Sequence, residues 1–387
     1  MFQLVLTFAV ATFLSLNYGI LLYVNSTFLG NFFSASTVSI LFLLGSALNV
    51  WLFFLGPRLL ARLGKEGLLL GFSLLVFITT LTLPLATYNL VVALAFIIYQ
   101  ASLFMAYWCL DVFLEEKSED RFTGELRGLY FTFVNAGIAL GPLLMGLLSS
   151  GEGLEPVYYI GAVILIVPIV ISFVQFLRRE VRDPSLSKSN LPEIKRNLPL
   201  RLWWLRRNVR AVTFARLVLE IFFGIMIIYT PVYLHGTLGF TWSELGAIFT
   251  VMLLPFVLLE WPAGEMADRF WGEKEMMSVG FFISGVSLLL MPFLGAEFWL
   301  WLLVLVASRI GASLVEINTE TYFFKKVGAE DTGLLSIFRI ARPVGFILGS
   351  AIGLAVTTYI SFPAIFFATA LVILFGLFES LYLHDTL

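Results

Sequence analysis

Charge is what this chain has least of. Only 13% of its 387 residues are Asp, Glu, Lys or Arg, against about 25% in soluble domains. With 59% of residues hydrophobic and a mean hydropathy of +0.95, too few charges remain to solvate the surface of a soluble fold. The composition is that of a polytopic membrane protein. Cysteine is nearly missing as well. Cys109 stands alone, which excludes an internal disulfide framework and a cysteine metal cluster. The histidines, His235 and His384, are too far apart to suggest a metal pair or a Ser-His-Asp set. No glycine-rich phosphate loop followed by Lys and Ser/Thr occurs, so ATP-driven work within this chain is not expected. An enzyme, a metal and any other cofactor are therefore not expected. A net charge of −2 gives no reason to expect nucleic acid as a partner.

What the chain has in abundance is long apolar runs. A spanning helix needs about 20 mostly apolar residues. Twelve such runs can be placed, at 3–25, 37–56, 67–87, 89–114, 126–149 and 156–177, then at 209–235, 243–262, 276–295, 297–324, 333–357 and 361–384. The first is longer than a signal-peptide core and has no basic flank before it, so it reads as a span. Lysine and arginine cluster on alternate connections: Arg58, Arg62 and Lys65; Lys117, Arg121 and Arg127; the central segment 178–208; Arg269 and Lys274; Lys325 and Lys326. By the positive-inside rule these segments, and both termini, are expected on the cytoplasmic side of the inner membrane. In the central segment, NLPLRLWWLRRN sets Trp203 and Trp204 among arginines and predicts a short helix at the membrane interface.

The two halves overlay at one fixed offset. GILLYVNSTFL (19–29) falls on GIMIIYTPVYL (224–234), and the same offset places Pro57 on Pro262, Asp111 on Glu316, Glu115 on Glu320 and Gly128 on Gly333. The expected fold is all-α, with twelve transmembrane helices in two pseudo-symmetric bundles. Residues 1–178 form the first, 179–207 a basic linker carrying the interfacial helix, and 208–387 the second. Parallel repeats of this kind suit alternating access about a site near the bilayer midplane.

Two motifs carry a family resemblance. PAGEMADRFWGEK (262–274) resembles the cytoplasmic loop signature of the major facilitator superfamily through Gly264, Asp268, Arg269, Gly272 and Lys274, with one extra residue before Gly272. The first-half copy, PRLLARLGKE (57–66), keeps Arg62, Gly64 and Lys65, but Ala61 stands where the aspartate would be. In span 5, Gly128, Gly137 and Gly141-Pro142 are similar to the antiporter motif of drug:proton exporters in that superfamily, with Met145-Gly146 where its closing glycines would stand. Ordinary tight packing is the competing reading of those glycines, since small residues let helices approach closely. The resemblance implies spans 1, 4, 7 and 10 around a central cavity, and a monomer.

Ionisable groups inside spans are costly and usually mark a pathway. On span 10, Arg309, Ser313, Glu316 and Glu320 recur at helical spacing and share a face. At about 1.5 Å per residue, Arg309 sits near mid-membrane, with Glu316 and Glu320 toward the cytoplasmic end. On span 4, Gln100, Phe104, Tyr107 and Asp111 share the equivalent face. Span 7 has Arg216 and Glu220 four residues apart, able to pair. Its mate, span 1, offers Asn17, Tyr18 and Asn25.

The expected substrate-binding residues are Asn17, Tyr18, Asn25, Gln100, Tyr107, Arg216 and Arg309. The expected proton carriers are Glu220, Glu316 and Asp111. Glu320 and the span-11 arginines Arg339 and Arg342 are expected to latch the cytoplasmic side with Arg62, Gly64, Gly264, Asp268, Arg269 and Gly272. Glu316 and Glu320 are placed to meet Arg339 or Arg342. Structural salt bridges are the plainer reading of these inner-end charges.

Taken together these features predict a secondary transporter, with proton-coupled export of amphipathic small molecules as the leading function. Proton-coupled or facilitated uptake of a small polar or zwitterionic metabolite, and lipid or lysolipid flipping, are the alternatives. The expected partners are the small-molecule substrate, protons and membrane lipids.

Overall fold

The computed structural model describes residues 2–115, 123–149, 153–182, 200–267, 271–327, 332–381 and 383. Among them every regular element is helical. The first half comprises α1 (Phe2–Leu22), the short α2 (Asn25–Gly30), α3 (Ala35–Leu85), α4 (Asn89–Glu115), α5 (Thr123–Leu148) and α6 (Glu155–Arg182). The second comprises α7 (Leu200–Leu205), α8 (Arg207–Pro231), α9 (Trp242–Leu258), α10 (Glu260–Met266), α11 (Glu273–Leu290), α12 (Phe298–Lys326), α13 (Thr332–Tyr359) and α14 (Ala364–Leu381). Eleven stretches are long and apolar enough to cross a membrane, and Trp242–Leu258 is a shorter apolar helix. These are the twelve runs that the composition predicts.

Two of the runs meet without an intervening loop. Spans 2 and 3 are joined in one helical element, α3, broken at Gly64, whose φ of 70° and ψ of 167° are not helical. Such a backbone is open to glycine and strained for a side-chain-bearing residue. The charges Arg58, Arg62 and Lys65 therefore ride on helix ends around a one-residue break rather than on a loop. On the matching side of the second half, Gly272 (φ 76°) precedes α11.

The chain forms two compact units that do not follow the midpoint strictly. Unit 1 gathers Met1–Ser34, Leu44–Glu193 and Thr241–Thr250, while unit 2 gathers Ala35–Leu43, Ile194–Phe240 and Val251–Leu387. Each half thus lends a short segment to the other unit. In unit 2 the lent start of α3 is fastened by a hydrogen bond between Ser39 Oγ and Tyr229 Oη, with Ser36 Oγ 3.4 Å from Thr358 Oγ1. In unit 1 the lent start of α9 brings Phe249 to 4.3 Å from Tyr23, ring to ring.

Within each unit one helix is central. In unit 1, α1 packs against α5, α6 and α4; in unit 2, α8 packs against α13, α14 and α12. These are equivalent sets at the sequence offset, so the repeat in sequence is a repeat in packing. Lipid is as apolar as the protein interior, so close fit rather than water exclusion must hold the helices together. Glycines supply the fit. A β-carbon at Gly137 of α5 would lie 2.7 Å from the Thr12 carbonyl oxygen, and one at Gly141 would overlap the Gly19 backbone. The apolar outside matches: Leu303, Leu371 and Leu147 are at least 65% exposed, as lipid-facing side chains should be.

Candidate functional site: a buried arginine among carboxylates

The charged groups of unit 2 converge on Arg216, midway along α8. Its Nε donates to Glu220 Oε1 at 2.9 Å, and Nη2 lies 2.7 Å from the same oxygen. Helical spacing brings the two onto one face. Nη2 also donates to Glu316 Oε1 of α12 at 3.0 Å, and Nη1 lies 3.5 Å from Glu320 Oε1. Glu316 and Glu320, one turn apart, thus reach one guanidinium. Arg342 of α13 approaches from the other side, its Nε 3.9 Å from Glu220 Oε2.

Burial grades the cluster. Glu220's side chain is 1% exposed and Arg216's 10%, while Glu316, Glu320 and Arg342 rise to 27%, 30% and 46%. One end is dry and the other is open. Glu220 Oε2 accepts no hydrogen bond, although it is buried and faces Arg342. The dry end reflects α8's central place, with Gly345 of α13 pressed against the Glu220 side chain.

Sequence reasoning missed one member. Glu260, the first residue of α10, is half-buried and lies within electrostatic range of Glu316, Arg216 and Glu320. The signal was present, an acid at the end of an apolar run, but the overlay of the halves gives it no acidic mate. With Glu260 the cluster holds four carboxylates around Arg216 and Arg342. Among the described residues no group of His, Cys, Asp and Glu is placed to hold a metal ion.

Arg309, on the same face of α12, is held differently. It is 1% exposed, and its guanidinium lies 4.8 Å above the Phe222 ring of α8. A buried cation over an aromatic face is stabilised by the ring quadrupole. Arg339 of α13 is half-buried.

In unit 1 the expected binding residues are engaged within the bundle. Asn17 is fully buried and donates to the Gly161 carbonyl at 3.0 Å. Asn25 accepts from Tyr158 Oη at 2.8 Å. Gln100 donates to Ser46 Oγ at 2.9 Å, in space that Gly45 leaves open. Tyr107 Oη bonds Ser15 Oγ at 2.8 Å, and Tyr18 stacks edge-on against Phe104. Asp111 is half-buried.

Among the expected gate residues, Arg62 is exposed, Gly64 breaks α3, Gly264 lies in α10 and Gly272 precedes α11. Asp268 and Arg269 lie outside the described residues. Gly128 sits in the first turns of α5, and Pro142 lies inside that helix.

This arrangement can be set beside known proteins. The profile of the Major Facilitator Superfamily matches residues 6–249 and again 212–386. The chain belongs to the major facilitator superfamily. The two matches overlap and together cover nearly the whole chain. Similar proteins include the multidrug resistance protein MdtG of Salmonella arizonae, 28% identical over 254 residues, covering 62% of this chain and 59% of that protein. MdtG of Dickeya zeae is 26% identical over 262 residues, covering 67% and 62%. The chain thus spans about three fifths of the length of the curated relatives it matches.

Proposed function

We propose that this multi-pass protein is a proton-coupled exporter of amphipathic small molecules, working by alternating access. One observation carries the reading: Arg216 lies between a sealed carboxylate, Glu220, and an accessible pair, Glu316 and Glu320, at 2.7 to 3.5 Å. A guanidinium stays charged at any working pH. When it leans on Glu220, the other carboxylates lose their counter-charge and take up protons more readily. When it leans on Glu316 and Glu320, the proton demand moves to Glu220. A small shift of α8 against α12 is then a proton switch between a dry and a wet position. Glu260 adds to the negative field and sharpens the exchange.

In this reading Arg309, Asn17, Tyr18, Asn25, Gln100 and Tyr107 contribute to substrate binding, and Asp111 is a second proton site. Arg339 and Arg342 act with Glu320 and the glycine-containing turns at the cytoplasmic ends. The names of the relatives, multidrug resistance proteins, support export and an amphipathic substrate. Their bacterial sources support an inner-membrane location, and the basic connections support cytoplasmic termini. The working unit is taken as a monomer. The mixed charges Arg216, Glu220, Arg309 and Glu316 favour uptake of a zwitterionic metabolite as a second reading.

The test is transport in proteoliposomes under an imposed pH gradient, with ethidium and 1-anilinonaphthalene-8-sulfonate as cationic and anionic probes. Movement of either probe against its own gradient, lost in Glu220→Gln and Glu316→Gln, is expected. Gradient-driven movement that persists in both variants removes these carboxylates as carriers. Uptake of zwitterions with no movement of either probe selects the second reading.

A further inference from the structure

The segment that leads into α8 has no part in that reading. Helix α7 is a single short element of sequence LRLWWL. Within unit 2, Trp203 fastens it to α8. Trp203 Nε1 donates to Thr213 Oγ1 at 3.2 Å, and its ring lies 5.6 Å from Phe214. Trp203 also packs on the cluster that includes Val209, Val212, Tyr322 and Phe338. With Trp203 turned inward, the neighbouring apolar side chains face out: Trp204 is 59% exposed, Leu200 58% and Leu205 70%.

The charge beside them has one sign. Residues 200–210 contain Arg201, Arg206, Arg207 and Arg210 and no acid. Arg201 and Arg207 are exposed. Arg210 lies 4.6 Å over the Trp204 ring and donates from Nη1 to the Trp204 carbonyl at 2.7 Å, so cation and indole are locked together. The stretch Arg207–Thr237 that follows is long and apolar enough to cross a membrane. Chain continuity therefore sets α7 where a span leaves the bilayer.

We propose that α7 is a docking surface for anionic phospholipids of the leaflet it faces. Trp204, Leu200 and Leu205 enter the boundary between headgroups and acyl chains, where an amphipathic indole is at home. Arg201 and Arg207 hold headgroup phosphate, which suits the planar guanidinium fork. Each basic residue near an anionic surface is worth about a fivefold gain in affinity. A soluble phosphate would satisfy the arginines and leave three apolar side chains in water. A neutral lipid would cover the apolar side chains without answering the exposed cations Arg201 and Arg207. Anionic lipid answers both.

The test uses the whole chain in nanodiscs of phosphatidylcholine with phosphatidylglycerol, one of the two dibrominated at a time. The Trp204 contribution to fluorescence is the difference between wild type and Trp204→Phe. At equal mole fraction, brominated phosphatidylglycerol is expected to quench that contribution several-fold more strongly than brominated phosphatidylcholine. The preference is expected to vanish in Arg201→Gln/Arg207→Gln, with elution and Tm recorded to confirm that the variant is folded. Equal quenching by the two lipids in wild type overturns the proposal without any need of the variant. So does quenching by neither, which signals a protein cover over Trp204, and so does a preference that survives the double substitution. None of these outcomes depends on whether protons drive transport.

Discussion

Arg216 and Glu316 stand 100 residues apart in sequence and 3.0 Å apart in space. That contact ties the middle of α8 to α12 and shares its arginine with Glu220, which is almost sealed from solvent. Removing one partner of a buried ion pair leaves an uncompensated charge and costs about 3–5 kcal/mol, whereas replacing both with apolar groups is often neutral. Arg216→Met should therefore lower the detergent Tm sharply, and Arg216→Met/Glu220→Met should recover most of the loss. A double variant no more stable than the single would show that Glu220 needs no counter-charge.

The glycines of the spans divide by what faces them. A β-carbon at Gly141 would collide with the Gly19 backbone, whereas nothing lies within 4 Å of the position it would take at Gly71 of α3. Overpacking of this kind costs about 1–3 kcal/mol, and an alanine gains up to about 1 kcal/mol over glycine in a helix. Gly141→Ala should destabilise and Gly71→Ala should not, as read by thermal unfolding of the two variants side by side.

Arg309 should tolerate loss of shape less well than its charge suggests. Its guanidinium is stacked 4.8 Å above Phe222, and a desolvated cation–π contact is worth up to about 2 kcal/mol. Arg309→Lys keeps the charge but loses the flat stacking surface. It should lower Tm, and Phe222→Leu should lower it by a similar amount. In the Phe222→Leu background Arg309→Lys should add little, and full additivity in this double-mutant cycle would deny the contact.

Glu273 is fully buried in the first turn of α11 and pairs with Lys325 at the end of α12. The helix N-terminus favours the carboxylate, and Lys325 supplies its partner. Lys325→Ala should weaken the attachment of α11 to α12, with faster proteolysis there, and Lys325→Arg should preserve it. Equal cleavage of the two variants would show that the helix terminus suffices.

Much of this was legible in the sequence because the lipid environment is a severe filter. The twelve apolar runs, the fixed offset and the i,i+4 pair Arg216–Glu220 depend on local spacing. The identity of partners across helices does not. Arg216 of α8 reaches Glu316 and Glu320 of α12, and Arg342 of α13 approaches Glu220, contacts that sequence spacing does not announce. Depth along each helix was readable, but rotation about its axis, which decides the partner, is set by packing of α8 against α12 and α13. Glu260 escaped because span ends are ordinary places for an acid. The lending of 35–43 to unit 2 and 241–250 to unit 1 rests on contacts such as Ser39 with Tyr229, which no local pattern announces.

The most direct measurement is infrared difference spectroscopy of the purified protein across a pH titration, reading the carbonyl stretch of protonated carboxylic acids. Proton exchange around Arg216 predicts a titrating band that shrinks in Glu316→Gln, shrinks in Glu220→Gln and shifts its midpoint when Arg216 is replaced together with Glu220. A band indifferent to all three changes, or no titrating carboxyl at all, would contradict a proton switch built on this arginine.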